Sequence, residues 1–254
     1  MREAQIRETP EPVRLQKWLA RMGLASRREA ERMILEKRIK VNGTLAQIGQ
    51  SITPNIDKIA LDNKNVSYRP PASYWLFHKP RLYLCSKKSD EGKPTIFDIP
   101  SLRRQVKSIF TVGRLDYLSE GLLLLTNDGD LCHQLCHPSF EVKKVYHVLS
   151  NRILSKQELD TLNAEPIQLE DGSVKIKIDK LIKEKLGNSS GCWYRITLTS
   201  GKNRVIRRIF ERLDARVLRL VRVSYADITL SGDSKPGDLR QLTENELHKL
   251  KLGG

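Results

Sequence analysis

Residues 113–125 read Gly113-Arg114-Leu115-Asp116-Tyr117-Leu118-Ser119-Glu120-Gly121-Leu122-Leu123-Leu124-Leu125, and this stretch decides the fold class. The leucine run reads as a buried strand, as do residues 108–112 just before the loop. Between them lies a short polar loop flanked by Gly113 and Gly121 and carrying Arg114, Asp116 and Glu120. A carboxylate on a loop held by rigid strands is well placed to act as a nucleophile or base. A structural Arg114–Asp116 ion pair in a turn fits the same pattern equally well.

Working outward, residues 145–149 read as a further strand, and residues 174–178 and 193–199 alternate. Residues 216–230 read as a long strand or a strand pair. Helices are expected near residues 130–136, 155–162 and 202–213, and Thr243 with Glu246 forms a capping box that opens a C-terminal helix. Strands interspersed with a few helices, without regular alternation, predict an α+β domain over residues 74–250 with a mixed or antiparallel sheet.

Residues 13–62 read as a smaller unit. Leu15, Trp18, Leu19 and Met22 recur at helical spacing, and Gly23 stops that helix. Ser26 and Glu29 form a capping box for a second helix. Asn42-Gly43 between short strands is a hairpin signal, because both central turn residues need positive φ. The unit therefore reads helix, helix, hairpin. Residues 63–73, polar and with Pro70-Pro71, read as a linker.

The chain has 254 residues, with 45 Lys and Arg against 30 Asp and Glu, a net charge of +15. Such an excess points to a polyanionic partner, nucleic acid first. It is concentrated in two places. Residues 14–40 hold nine basic residues, Arg14, Lys17, Arg27, Arg28 and Arg38 among them, against three acids. Residues 202–222 hold eight against two. A one-signed excess on a helix surface favours RNA or DNA over simple solvation. Cations at the start of the helix near residue 204 suggest a bound anion, a phosphate or a catalytic carboxylate; surface arginines lying over apolar neighbours are the plainer explanation. No apolar run approaches the roughly 20 residues of a membrane span. Residues 1–12 carry Glu3, Glu8 and Glu11 and no apolar core, unlike a signal or transit peptide. Four cysteines fit a reducing compartment, so a cytoplasmic location is expected.

Other constellations compete for chemistry. Asp116 and Glu120 resemble a glycosidase acid/base pair only if the loop were helical. Asn127-Asp128-Gly129-Asp130 reads as a turn that caps the next helix rather than a magnesium site. Cys132, His133, Cys136 and His137 have metal-ligand character but no second cluster, so no metal site is expected. The phosphate-loop, dinucleotide and zinc-protease signatures are absent.

Together the motifs resemble the bacterial ribosomal pseudouridine synthases of the RsuA/RluB type. Residues 113–116 with 121–129, Lys144-Val145-Tyr146, and Gly201-Lys202-Asn203-Arg204-Val205-Ile206-Arg207-Arg208 carry the resemblance, flanked by Lys79-Pro80 and Lys235-Pro236-Gly237. The first unit resembles the RNA-binding domain named after ribosomal protein S4. The resemblance implies a cofactor-independent isomerase acting on ribosomal RNA or a ribosomal subunit precursor, with a lean toward the 23S RNA. It implies Asp116 as catalytic carboxylate, Tyr146 against the target uracil and as a candidate for the later proton removal, and Arg207 paired with Asp116. It further implies RNA contacts from Lys79, Arg114, Lys144, Lys202, Asn203, Arg204 and Arg208. A non-catalytic ribosome assembly factor, or a synthase acting on 16S RNA or tRNA, are the alternatives. A monomer is expected, because no apolar stripe is left over for an interface. The chain departs from the family pattern at Val205, where Gln is usual, and at Leu82 and Asp214, where Gly is usual.

Overall fold

A computed structural model describes residues 11–66, 71–87, 89–105, 109–186 and 189–252. Residues 1–10, residues 67–70 of the expected linker and Ser108 at the start of an expected strand lie outside them. The chain divides after residue 72 into two compact units.

In the first unit, helices Leu15–Arg21 and Arg27–Leu35 pack over a small antiparallel sheet of Thr44–Leu45, Ile39–Val41, Ile59–Leu61 and Lys64–Asn65, in that order. Leu15, Leu19, Ala30, Ile34, Ile39, Ile52 and Ile59 form its core. The Ser26 hydroxyl accepts from the Glu29 amide at 3.2 Å, closing the second helix's first turn. Asn42 and Gly43 both have positive φ, as the hairpin requires. Lys64–Asn65 pairs with Ile59–Leu61, so part of the stretch expected to be linker is sheet.

The second unit is built on a nine-stranded mixed sheet among the described residues. Its main path runs Ile176–Leu186, Ser189–Leu198, Lys144–Ser150, Val217–Tyr225, Glu120–Thr126, Tyr74–Lys79, Leu239–Gln241. Every pairing is antiparallel except that of Val217–Tyr225 with Glu120–Thr126, joined in parallel at Val221 with Glu120 and Arg222 with Gly121. The leucine run is buried throughout. Leu122 and Leu124 face one core with Leu131, Leu135 and Leu250, while Leu123 and Leu125 face another with Ile96 and Leu102. Full burial of each such side chain stabilises by about 1.5–3 kcal/mol. A third core gathers Ile176, Ile178, Tyr194, Ile196 and Leu220 under helix Val205–Glu211.

Three readings are refined. Residues 216–230 form two strands, Val217–Tyr225 and Ile228–Thr229, turned at Ala226 with φ 52°. The basic helix begins only at Val205, because Arg204 is left-handed at φ 48° and ends the Gly201 turn. The alternating stretch at 174–178 is divided: Val174 ends the strand Gly172–Val174, which pairs with Ile167–Leu169, and Ile176 begins the ribbon strand Ile176–Leu186, whose register shifts between Lys180 and Lys183. Among the described residues, no helix is long and apolar enough to cross a membrane.

Candidate active site

Where the single parallel pairing joins the two halves of the sheet, a cleft of about 720 Å³ opens. Four segments supply most of its functional groups, and residues 136–141 and 173–175 complete the walls. The Gly113–Ser119 loop brings Arg114, Asp116 and Ser119; the strand Lys144–Ser150 brings Lys144 and Tyr146; the turn before helix Val205–Glu211 brings Lys202, Asn203 and Arg204; the strand Val217–Tyr225 brings Leu220, Arg222 and Tyr225. The cations Arg114, Lys144, Lys175, Lys202, Arg204 and Arg222 outnumber the carboxylates Asp116 and Glu141. The lining therefore suits a polyanion with one or more phosphates inside reach.

The loop is held from beneath. Lys79 is 0% exposed, and its ammonium donates to the carbonyls of Pro80, Asp116 and Ser119 at 3.0, 3.2 and 2.8 Å. Burial pushes it down to about 8. This corrects the expectation of an RNA contact at Lys79: all three of its hydrogens are committed inside the protein. Leu82 donates its amide to the Tyr117 carbonyl at 2.7 Å from a left-handed conformation, φ 65°.

Arg207 stands behind the cleft rather than in its lining. It is 7% exposed and donates to the carbonyls of Val217 at 3.1 Å and Leu118 at 3.4 Å, while its Nε has no partner. Burial first, then the Arg204 charge, push this guanidinium down, and the Asp116 carboxylate pushes it back up. The two charges thus sense each other, but no ion pair joins them. This corrects the direct pairing that the resemblance implies: the guanidinium is taken up by backbone carbonyls, one on strand Val217–Tyr225 and one in the Asp116 loop.

The glycosidase pairing is not assembled. Glu120 is buried away from the cleft and ion-paired to Arg219 at 2.5 Å. Asp128 caps helix Gly129–Cys136 through the amides of Asp130 and Leu131. The rings of His133 and His137 stack at 5.0 Å, with Phe140 edge-on to both.

Of the remaining expected RNA contacts, Arg114, Lys144, Lys202, Asn203 and Arg204 line the cleft. Lys144 donates to the carbonyls of Val142 and Thr199 at 2.8 and 2.7 Å, and burial pushes it down to about 8. Arg208 lies outside the lining in a fork on Asp171, both contacts at 3.0 Å. Arg14, Lys17, Arg27, Arg28 and Arg38 belong to the first unit, where Arg38 is forked on Asp62.

Residues 73–212 match the RNA pseudouridylate synthase family, and residues 13–55 match the S4 domain. The chain belongs to the RNA pseudouridylate synthase family. It is an RNA pseudouridine synthase, an isomerase. The Ribosomal large subunit pseudouridine synthase B of Escherichia coli K12 is 41% identical over 224 residues, covering 85% of this chain and 75% of that relative. An uncharacterized RNA pseudouridine synthase of Mycobacterium tuberculosis H37Rv is 35% identical over 252 residues, covering 98% of this chain and 97% of its own length. A crystal structure of a pseudouridylate synthase superposes with a TM-score of 0.62 at 25% identity, covering 94% of this chain and 99% of that one.

Within this synthase, motif reading missed Ser119, Arg222 and Tyr225, which line the cleft almost completely buried. Arg222 was one cation in a basic run. The signal available was its place, with Arg219, inside a mostly apolar, strand-forming stretch, where a charge is costly without a purpose.

Proposed function

We propose that the chain converts a uridine of large-subunit, 23S ribosomal RNA to pseudouridine in the cytoplasm, acting as a monomer. The observation that carries the reading is the cleft itself. The carboxylate of Asp116 and the ring of Tyr146 share it with six cations, and the closely similar relative is named for the large subunit.

The reaction is an isomerisation, so its atoms balance without a co-substrate. The target nucleotide leaves its helix, at a cost of a few kcal/mol. Its phosphates are gripped by Arg114, Lys144, Lys202 and Arg204, with Asn203 as a neutral donor. Asp116 attacks C1′ of the ribose, or removes a proton from C2′ to leave a glycal, while the base–sugar bond breaks. Tyr146 stacks on the detached uracil as it turns; C5 then bonds to C1′ as Asp116 leaves it or returns the C2′ proton, and the C5 proton is removed, with Tyr146 as its base, while N1 takes one up. Arg207 keeps the Asp116 loop in place through Leu118 and keeps positive charge behind the carboxylate. Residues 13–62, with Arg14, Lys17, Arg27, Arg28 and Arg38, dock on RNA through phosphate contacts, residues 63–73 link them to the rest, and residues 74–250 perform the chemistry.

The test is tritium release from rRNA labelled at uridine C5. Wild type and Asp116→Asn are each run on separate large- and small-subunit transcripts and on subunits from a strain lacking the protein. Release from the large-subunit RNA, lost in the variant, supports the proposal. Release from the small-subunit RNA alone, or release that survives Asp116→Asn, overturns the substrate or the site respectively.

A further inference from the structure

Arg222 is the most heavily buried cation in the cleft wall, 2% exposed. Its Nε donates to the Leu122 carbonyl at 2.8 Å, and its guanidinium carbon lies 4.8 Å from the Tyr225 ring centre. Its Nη2 is buried and has no hydrogen-bond partner. The backbone beneath it is fixed. Arg222 pairs with Gly121 on one side and with Tyr146 on the other. Gly121 has φ 105°, and a Cβ there would come within 2.3 Å of the Arg222 carbonyl oxygen. An unpaired donor on a buried guanidinium costs stability. A bound substrate offering an oxygen removes that cost.

The other cations around the cleft are otherwise engaged. Lys79 gives its hydrogens to three carbonyls and Lys144 gives two of its own. Lys202 is held by the Asp171 backbone carbonyl, Arg207 stands outside the lining, and Arg114, Lys175 and Arg204 are exposed to solvent, where their charge is screened. Among the described residues, Arg222 is the buried cation in the lining with a terminal donor uncommitted. It also neighbours Tyr146, the residue proposed to stack on the base.

We propose that Arg222 is a further catalytic residue, which donates to a carbonyl oxygen of the uracil and stabilises the negative charge that the base acquires on detachment. The inference rests on the function proposed above. When the N1–C1′ bond breaks, its electron pair stays with the base, which departs as an anion spread over N1 and the two carbonyl oxygens. C1′ is compensated by its bond to Asp116, or by the double bond formed when Asp116 takes the C2′ proton. Arg222 gives up no proton; it supplies a fixed hydrogen bond and a positive charge where charge develops. C5 then bonds to C1′ as Asp116 leaves it or returns the C2′ proton, and the base, having lost the C5 proton and taken one up at N1, is neutral again and the hold relaxes.

The test exploits leaving-group acidity. Single-turnover cleavage of the base–sugar bond is measured by nucleoside analysis of quenched reactions. The RNA carries either uridine or 5-fluorouridine, whose base departs more readily as an anion. Arg222→Gln is expected to slow uridine cleavage by roughly 100-fold and fluorouridine cleavage far less, with RNA affinity nearly unchanged. Arg222→Lys, which keeps the charge but not the reach, falls between; it carries the comparison if Arg222→Gln fails to fold. Equal slowing of both substrates, or no slowing, overturns the role of Arg222 while leaving the proposed reaction intact. Wild type that leaves both RNAs unchanged overturns the proposed function and this inference together.

Discussion

Residues 14–40 and 202–222 carry nearly the same excess of positive charge, yet the fold uses them in different ways. In the first stretch no basic side chain is buried. Several sit in exposed ion pairs, Arg32 with Glu29 and Arg38 with Asp62, each worth at most about 1 kcal/mol. In the second stretch Arg207, on helix Val205–Glu211, and Arg222, on strand Val217–Tyr225, are buried, each with a nitrogen left unpaired. Surface charge grips a phosphate chain at a distance and yields to salt. Buried charge cannot be screened and acts on one atom at a time. Composition is blind to this difference, which comes from burial.

The largest test of the contrast is Asp116→Asn. Turnover should fall by more than about 1,000-fold, while RNA affinity measured by filter binding changes little. Loss of binding instead of turnover would erase the distinction between gripping and chemistry. Next comes Arg207→Met. It strands the carbonyls of Leu118 and Val217, so thermal unfolding should show a loss of about 2–3 kcal/mol, with turnover reduced alongside.

The opposite pole is the double variant Arg27→Ala/Arg28→Ala. Its chemical step should be unchanged. Its RNA affinity should fall, and the slope of log affinity against log salt should flatten by about 2. A change in single-turnover rate would mean that the first unit takes part in the chemistry.

Lys144 lies between the two classes. Its ammonium is pushed down to about 8 by burial, reinforced by Arg222. It therefore stays charged at pH 7 and is largely neutral by pH 9, well below the range of an exposed lysine. RNA affinity should weaken over that interval, and Lys144→Arg, which stays charged, should flatten the profile.

The smallest effect concerns backbone. Leu82 and Asp214 both adopt left-handed φ, at 65° and 51°, a region that favours glycine. Leu82→Gly and Asp214→Gly should each stabilise by up to about 1 kcal/mol in denaturant unfolding, the relieved strain being partly offset by the freer unfolded chain.

Much of this was legible from the chain. The four leucines after Gly121 could only be a doubly buried strand, and the loop before them put Asp116 at its mouth. Asn42-Gly43 and the Thr243 capping box acted locally, and both formed. Where the reading fell short, the missing term was long-range. Lys79 resembled a surface cation until three carbonyls, two of them about forty residues away, were found around it. Arg207 was expected on Asp116 and is held instead by the carbonyls of Val217 and Leu118.

By itself the sequence determined the α+β class, the two basic stretches, the carboxylate loop and the family, because these rest on short-range periodicity, turn chemistry and contiguous motifs. Only the tertiary structure decided which cations are chemical and which are adhesive. That choice depends on desolvation and on donors left unpaired, and neither exists until Val217–Tyr225 lies in parallel beside Glu120–Thr126 and closes Arg222 into the wall of the cleft.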